Sequence, residues 1–217
     1  MKKLFHLFML SVALITASCD GHHDIPDTGT KVGDILCTDG QVLSVGDWEK
    51  SGKTAIGVVF HVNHDSEIEG KGYVVYRDDI VPSEFADSLG VKQGTSADIY
   101  GMDGNLNTYL LMSNQNVGSP MANAVFDLWC YGQSAYIPSV AQLRLLKDNR
   151  LVINRRLEAI GGTPISDDAD ECWYWSSTEV SGQETAKAWL YSLSQGAMQE
   201  TPKIQTHKIR PIITIND

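Results

Sequence analysis

Histidines and carboxylates that could bind a metal occur in four short clusters of the sequence. The first two clusters, which contain the histidines, lack the rigid set of three or four ligands that a zinc ion requires. The third cluster also lacks the glutamate-terminated spacing of an EF-hand loop, and the fourth is typical of a solvated acidic loop. The clusters are His22, His23 and Asp24; His61 and His64; Asp98, Asp103 and Asn105; and Asp167, Asp168, Asp170 and Glu171. We therefore predict no metal site and no cofactor.

The cysteines do not form a metal-binding or catalytic motif either. Cys37, Cys130 and Cys172 are too far apart for a CxxC site, which disfavours zinc. These three permit at most one intramolecular disulfide, and buried free thiols are an equal alternative. The sequence also lacks a Ser-His-Asp pattern, a Gly-rich phosphate loop and a metal triad. It therefore predicts that the chain is not an enzyme.

Residues 1–18 have the organisation of an export signal. A basic start is followed by an apolar run over Leu4–Ile15 and by small residues. The run is too short to span a bilayer, which takes about 20 apolar residues. Its end resembles the lipobox of bacterial lipoproteins, although Thr16 stands where leucine is usual. The resemblance implies that Cys19 is acylated and holds the protein in a lipid bilayer. We expect the outer membrane of a Gram-negative cell, with the periplasmic or the outer face left open; a secreted protein with Cys19 in a disulfide is the alternative.

Composition fits one globular domain behind a tether. The chain has 217 residues, is 42% hydrophobic and carries a formal net charge of −10, which argues against nucleic acid as a partner. Basic residues between Arg144 and Arg156 have helical spacing and indicate a solvated helix face. Residues 19–31 lack apolar periodicity and are predicted to be a flexible tether. Residues 32–217 are predicted to form a single domain.

Turn residues and apolar runs predict strands in the first part of the domain. Asp39-Gly40 is a hairpin signal between short strands that end at Cys37 and resume at Val42. Residues 54–62 form the most apolar strand, expected at the centre of a sheet and paired with residues 70–76. Short helical structure is predicted over Pro82–Leu89.

Two helices are predicted in the middle of the chain. Ser119 and Pro120 begin the first, and Ser139 begins the second, with Gln142 completing a capping box. The apolar pattern of the second helix slips near Asp148, which indicates a break into two shorter helices. Its buried residues are expected to be Val140, Leu143, Leu146, Leu151, Ile153 and Leu157.

Three further strands are predicted over residues 173–177, 186–194 and 206–215. Trp173 and Trp175 are two residues apart and therefore share one face of the first of these strands. Together with Trp189, they are expected to pack in the core rather than to form a platform for carbohydrate stacking. Pro211 has no N–H to donate, so it is expected at a sheet edge or a bulge.

Four motifs resemble the DUF1566 family, typified by the C-terminal domain of Legionella-type collagen-like adhesins. They are Tyr136-Ile137-Pro138-Ser139, Tyr174-Trp175-Ser176-Ser177-Thr178-Glu179, Ala188-Trp189 and Ile209-Arg210-Pro211-Ile212. The resemblance implies an α+β, C-type-lectin-like fold. This fold has mixed and antiparallel sheets, two main helices and adjacent N- and C-terminal strands.

The resemblance also implies a binding or adhesion module for an extracellular glycan or protein. The tripeptides that hold calcium in C-type lectins do not occur in this sequence. A structural subunit or partner of a surface fibre or envelope assembly is the alternative. A formylglycine-generating oxidase is disfavoured because such an enzyme needs two reactive cysteines close together. We predict a ligand surface on the loops after the last strands, at Glu179, Gln183, Gln195, Gln199 and Lys203.

Overall fold

The computed structural model describes residues 29–64, 70–130 and 133–216 of the chain. Several predicted features lie outside these ranges: the predicted export signal 1–18, the predicted acylation site Cys19, the pair His22 and His23, most of the predicted tether, and the side chain of Cys130. Within the described ranges, no helix combines the length and the apolar character needed to cross a membrane.

Runs of strands and groups of one or two helices follow one another along the described part, and the strands pair mostly antiparallel, which confirms the predicted α+β class. The strands are β1 Ile35–Cys37, β2 Val42–Leu43, β3 Ala55–Val62, β4 Gly72–Tyr76, β5 Ile80–Glu84, β6 Trp129–Cys130, β7 Gln133–Ser134, β8 Trp173–Glu179, β9 Lys187–Ser192, β10 Met198–Pro202, β11 Thr206–Ile209 and β12 Ile212–Ile215. The helices are α1 Val45–Ser51, α2 Gly104–Ser113, α3 Pro120–Phe126, α4 Val140–Asp148 and α5 Arg150–Ala159.

Two five-stranded sheets form the framework. The first has the strand order β12-β4-β3-β1-β2 and is antiparallel throughout. The second has the order β10-β9-β8-β11-β5 and is mixed, because β11 runs parallel to β8. The expectation of adjacent terminal strands is wrong. The strands β1 and β12 share the first sheet, but the β3–β4 hairpin lies between them, with β1 on one of its edges and β12 on the other.

Local sequence signals are confirmed where a turn or a cap determines the structure. Ile35 pairs with Leu43 across the Asp39-Gly40 turn, in which Gly40 has a φ of 91°. The strand β3 is central in its sheet, as expected. Ser139 and Gln142 form the predicted capping box of α4. The helical pattern breaks at Asn149, which separates α4 from α5.

Other expectations are wrong because distant partners determine the local structure. Residues 80–84 form the edge strand β5 instead of a helix, and this position accommodates Pro82 because an edge strand has one unpaired side. Leu151 is 67% exposed rather than buried. The final predicted strand is two strands, since the chain leaves the second sheet at Arg210 and Pro211 and continues in the first as β12. The short helices α1 and α2, and strand β10, were not predicted.

Both faces of each sheet are covered by apolar side chains. Val58 and Phe60 of β3 point into one core cluster, and Val59 points into the other. Strand β8 divides in the same way, with Tyr174 in the first cluster and Trp175 in the second. Residues of α4 and α5 fill the first cluster, and residues of α2 and α3 fill the second. The alternation of side chains along each strand therefore links the two cores through the sheets.

Candidate functional site

The Ser-Ser-Thr run after Trp175 is a buried structural element. Ser176, Ser177 and Thr178 have no exposed surface. The hydroxyl of Ser176 donates to the carbonyl of Trp189 at 2.8 Å, and the backbone N–H of Ser177 donates to the carbonyl of Pro138 at 2.9 Å. These contacts therefore hold β8 against β9 and against the segment that leads into α4, and the three buried side chains are not available to a ligand.

The backbone N–H groups at the start of α4 have hydrogen-bond acceptors both within the helix and in the neighbouring sheet. Within the helix, the Ser139 hydroxyl accepts from the Gln142 N–H at 3.3 Å, and the Gln142 side chain accepts from the Ser139 N–H at 3.0 Å. From the sheet, the hydroxyl of Thr178 accepts from the Val140 N–H at 3.2 Å. The first N–H groups of a helix have no partner inside it. The motif in β8 supplies one of the missing acceptors, Thr178, to the motif that begins α4.

The three tryptophans of the C-terminal part differ in burial. Trp175 is fully buried, packs edge-on against Phe85 at 5.6 Å between ring centroids, and donates from Nε1 to the carbonyl of Ser83 at 3.1 Å. Trp173 and Trp189 are partly buried and pack against the two core clusters. The prediction that these rings pack in the core is confirmed for Trp175. It is met only in part by Trp173 and Trp189, which pack against a core cluster but keep part of their surface exposed.

Arg210 is a buried junction between distant segments. Its side chain has no exposed surface and forms an ion pair with Asp79. Its guanidinium also donates to the carbonyls of Tyr76 and Arg77 at 3.2 Å and of Thr163 at 2.9 Å. The hydroxyl of Tyr174 donates to Asp79 at 3.2 Å; burial, and secondly the Asp79 carboxylate, raise the pKa of this hydroxyl. The arginine thus ties the crossover between the sheets to the loop after α5.

Two residues of the predicted ligand surface are inside the protein. Glu179 is 1% exposed and Lys203 has no exposed surface, and the two form an ion pair. The expectation that they lie on exposed loops is therefore wrong. Glu179 is the last residue of β8 and faces the loop that carries Gln93, while Lys203 turns inward after β10.

The other three residues of that prediction are accessible but do not converge. Gln183 is half-buried and donates to Glu200 at 2.9 Å. Gln199 is exposed on the edge strand β10, and Gln195 is exposed in the turn between β9 and β10, at the far end of that hairpin from Gln183. The structure therefore does not bring the five predicted residues together in one site.

A different surface, at α2, exposes large apolar side chains. Tyr100 is 71% exposed, Tyr109 is 66% exposed and Leu106 is 58% exposed, and Met102 lies beside them in the chain at 37%. Leu106 and Tyr109 are three residues apart and so share the outer face of the helix. We call these four residues the 100–109 surface. Four large apolar side chains exposed within residues 100–109 favour an interaction site, whereas isolated exposed apolar residues do not.

The helix α2 buries two polar residues, Asn107 and Thr108, beside the apolar Leu111, whereas its other polar residues Asn105 and Ser113 are exposed. Asn107 is fully buried: its side chain accepts from the Ser96 N–H at 2.9 Å and donates to Asp103 at 2.9 Å. Thr108 is also buried, and its hydroxyl accepts from the Ile137 N–H at 2.9 Å. A helix on a protein surface usually buries its apolar residues and exposes its polar ones. Here the arrangement is largely reversed around these positions, which leaves Leu106 and Tyr109 in solvent.

The 100–109 surface is held on a rigid base. The Ser139 hydroxyl donates to the carbonyl of Gly101 at 2.7 Å, and the guanidinium of Arg144 lies 5.5 Å from the centre of the Tyr100 ring. The Asp98 side chain accepts from the Tyr100 N–H at 2.9 Å, an ordinary turn contact for an aspartate. A tyrosine on such a base offers a flat apolar ring and a hydroxyl at little cost in conformational entropy.

Sequence reasoning missed this surface because α2 shows no regular apolar stripe. Its signal in the sequence is the pair of tyrosines at 100 and 109 inside a polar segment without an alternating pattern. Exposed aromatic residues cannot be distinguished from core residues until the partners of Asn107 and Thr108 are known.

The candidate metal-binding clusters have ordinary contacts where they are described. Burial, and secondly the nearby His64, lower the pKa of His61, whose ring stacks on Tyr73 at 5.9 Å. Asp167 forms an ion pair with Arg150, and Asp168 accepts from the Asp170 N–H at 2.8 Å. In the described ranges, no three such side chains are grouped in a way that could hold a metal ion. Cys37 and Cys172 are buried free thiols.

Comparison with known proteins gives a likeness of fold. Neither the family models nor the curated proteins match this chain. Among solved structures, a fimbrial protein from Bacteroides ovatus is similar, with a TM-score of 0.65 and 17% sequence identity. The likeness covers 86% of this chain and 49% of that structure, so the chain spans about half of its length. At this identity, the likeness concerns the fold alone.

Proposed function

We propose that this chain is a lipid-anchored protein of the cell envelope that binds an extracellular glycan or protein through the 100–109 surface. The observation that carries the proposal is the reversed polarity of α2 at residues 106–109, which buries Asn107 and Thr108 and exposes Leu106 and Tyr109. Exposing large apolar side chains on a well-packed helix is unfavourable unless a partner covers them. The proposed role is non-catalytic and does not require calcium.

The residues of the sequence motifs support the proposed binding role by stabilising the fold that carries the 100–109 surface, and they do not contact the ligand themselves. The motifs that resemble the DUF1566 family supply Ser139, Thr178 and Arg210, and all three are buried in hydrogen-bonded positions. The resemblance to this family implies a C-type-lectin-like architecture, in which loops on a fixed scaffold carry the binding residues. The 100–109 surface fits that plan because it begins in the loop ahead of α2.

Replacing both Tyr100 and Tyr109 with alanine tests whether the 100–109 surface binds the ligand. Central aromatic residues of an interface often contribute 2 kcal/mol or more to binding, so we expect the double variant to lose binding by roughly 30-fold. A screen of glycans and of extracellular matrix proteins with residues 20–217 would supply the ligand, and titration would then compare the variants. Leu151→Ala is the matched control, since Leu151 is 67% exposed on α5. Equal affinity for the double variant and the wild type would contradict the proposal.

A second candidate role, as a subunit of a surface fibre, is favoured by the likeness to a fimbrial protein. In that role the 100–109 surface would contact another subunit instead of a soluble ligand. Cross-linking on intact cells separates the two roles. Fibre subunits would give ladders of regular mass that the Tyr100→Ala/Tyr109→Ala variant lacks, whereas a ligand-binding module would give no ladder.

The proposed anchor makes a separate prediction at Cys19. Acyl chains on this residue would hold the protein in the membrane, and two or more chains give a stable anchor. We expect Cys19→Ala to move the protein from the detergent phase to the aqueous phase after phase separation of whole cells. Cys37→Ala is the control, because Cys37 is a buried thiol of the folded domain. Retention of the Cys19→Ala variant in the detergent phase would contradict lipidation.

A further inference from the structure

An amine, an amide and a carboxylate are buried together at the end of β8. Lys203, Gln93 and Glu179 have 0%, 3% and 1% of their surfaces exposed. They come from the turn after β10, from the loop between β5 and α2, and from the last position of β8. The Nζ of Lys203 donates to the Glu179 carboxylate and lies 3.5 Å from Oε1 of Gln93. Three groups that can react with one another therefore share one space away from water.

An aromatic ring lies on one side of this cluster, and hydrogen bonds hold its amine and its carboxylate in place. The Phe85 ring centre is 5.0 Å from Nζ of Lys203. The carbonyl of Glu184 accepts from the same Nζ at 2.6 Å, and the Glu179 carboxylate accepts from the Gln93 N–H at 3.0 Å. These contacts fix the amine and the carboxylate beside the amide. Because interactions between charges are stronger where water is excluded, the ion pair holds the Lys203 amine close to the carboxylate that would accept its proton.

The amide of Gln93 is incompletely satisfied. Its Nε2 is buried and has no hydrogen-bond partner among the described residues. A buried donor without a partner destabilises the fold, because it has lost its hydrogen bonds to water without replacing them. A glutamine kept in this position only to accept one long contact from Lys203 would therefore be unfavourable. Loss of that NH₂ group would remove the cost.

We propose that this cluster forms a covalent cross-link, an isopeptide bond between Nζ of Lys203 and the side-chain carbon Cδ of Gln93, with release of ammonia. The bond would tie the loop after β5 to the turn between β10 and β11. Glu179 is the catalytic residue, because its carboxylate contacts the reacting amine.

The reaction balances without an added reagent. Glu179 accepts a proton from the Lys203 ammonium, and the neutral Nζ attacks Cδ of Gln93. Glu179 carries a second proton from Nζ to Nε2 as the Cδ–Nε2 bond breaks. Both protons leave with that nitrogen as an ammonium ion, so the total charge is conserved and no oxidant or reductant is consumed.

Burial favours each part of this reaction. Desolvation lowers the pKa of Lys203, and Glu179 opposes that shift, so the neutral amine is accessible while its proton has an acceptor. Holding amine and amide together converts a slow reaction between two molecules into one within a single molecule. Gln93 is the acceptor rather than Glu179, because an ionised carboxylate resists attack by an amine.

The mass of the intact protein shows whether the cross-link has formed. We expect the purified full chain to be lighter than its processed and acylated sequence by one ammonia molecule. The Lys203→Met variant cannot form the bond and is expected to have its full sequence mass. Both proteins carry the same acyl chains, so the mass of these chains cancels when the two are compared. A wild-type mass equal to the sequence mass would overturn the proposal, and so would loss of water, which would indicate a bond to Glu179.

Variants and fragments locate the bond. Glu179→Gln and Gln93→Leu are each expected to restore the missing ammonia mass, whereas Lys187→Met is expected to retain the cross-link because Lys187 pairs with Glu200 on the surface. Chymotryptic fragments should include one that joins the segments around residues 93 and 203. Trypsin is avoided because cleavage after Lys92 leaves Gln93 as an N-terminus, which itself loses ammonia by cyclisation. Separate fragments in the wild-type digest would overturn the assignment.

Discussion

Replacing Arg210 with alanine lowers the free energy of unfolding by about 3–5 kcal/mol, the usual cost of removing one partner of a buried ion pair. The substitution leaves the Asp79 carboxylate without its cation and removes the donors to the carbonyls of Tyr76, Arg77 and Thr163. Those groups belong to the end of β4 with the segment after it and to the loop after α5, and Arg210 contacts both of these parts. The effect is measured by urea denaturation followed by tryptophan fluorescence.

Two further variants make the Arg210 experiment specific. Arg210→Lys keeps the charge but loses the planar fork that reaches several carbonyls at once, so we expect a loss between those of the wild type and the alanine variant. Lys187→Ala breaks the exposed pair with Glu200 and should cost about 1 kcal/mol or less. If Arg210→Ala costs no more than Lys187→Ala, the buried junction does not stabilise the fold as described.

Replacing Trp175 with alanine is expected to cost about 3–5 kcal/mol, because it removes a large, fully buried ring and leaves a cavity. The ring packs edge-on against Phe85 and against His207, at 5.6 and 5.3 Å between centroids. It therefore joins β8 to β11 and to the residue that follows β5. Thermal unfolding and urea denaturation should agree on the loss.

Phenylalanine substitutions separate packing from hydrogen bonding at the tryptophans. Trp175→Phe loses the Nε1 bond to the carbonyl of Ser83 and part of the ring volume, and we expect a cost of about 1–3 kcal/mol. Trp189→Phe is the matched control, since the buried Nε1 of Trp189 has no hydrogen-bond partner in the described part of the chain. A larger loss for Trp189→Phe than for Trp175→Phe would contradict this account of the two rings.

The elements that were predicted correctly are those whose signals lie within a few residues. The turn at Asp39-Gly40 and the capping box of Ser139 and Gln142 each depend on neighbours along the chain. The two-residue spacing of Trp173 and Trp175 also sufficed to place both rings on one side of β8. Such features depend on backbone geometry, which is the same wherever the element packs.

The polar residues were predicted less well, because their burial depends on partners from far along the chain. Glu179 and Lys203 were assigned to a surface because they fall on the loops that leave the last predicted strands. They are inside because each neutralises the other, and Gln93 donates to the pair from a loop more than eighty residues away. Asn107 and Thr108 are buried for the same reason, with partners at Ser96 and Ile137. The candidate site is the consequence, since burying these polar groups turns Leu106 and Tyr109 outward.

The sequence by itself determined the α+β class, the central strand β3, the break between α4 and α5 and the packing of Trp175, because apolar periodicity, caps and turns are local properties. Only the tertiary structure decided that the chain crosses between sheets at Arg210, that Glu179 and Lys203 are internal, and that the tyrosines at 100 and 109 are exposed. A charged or polar side chain is buried only where a partner satisfies it, and an aromatic side chain is exposed only where nothing covers it. Both conditions are set by residues that the fold brings together and the sequence keeps apart.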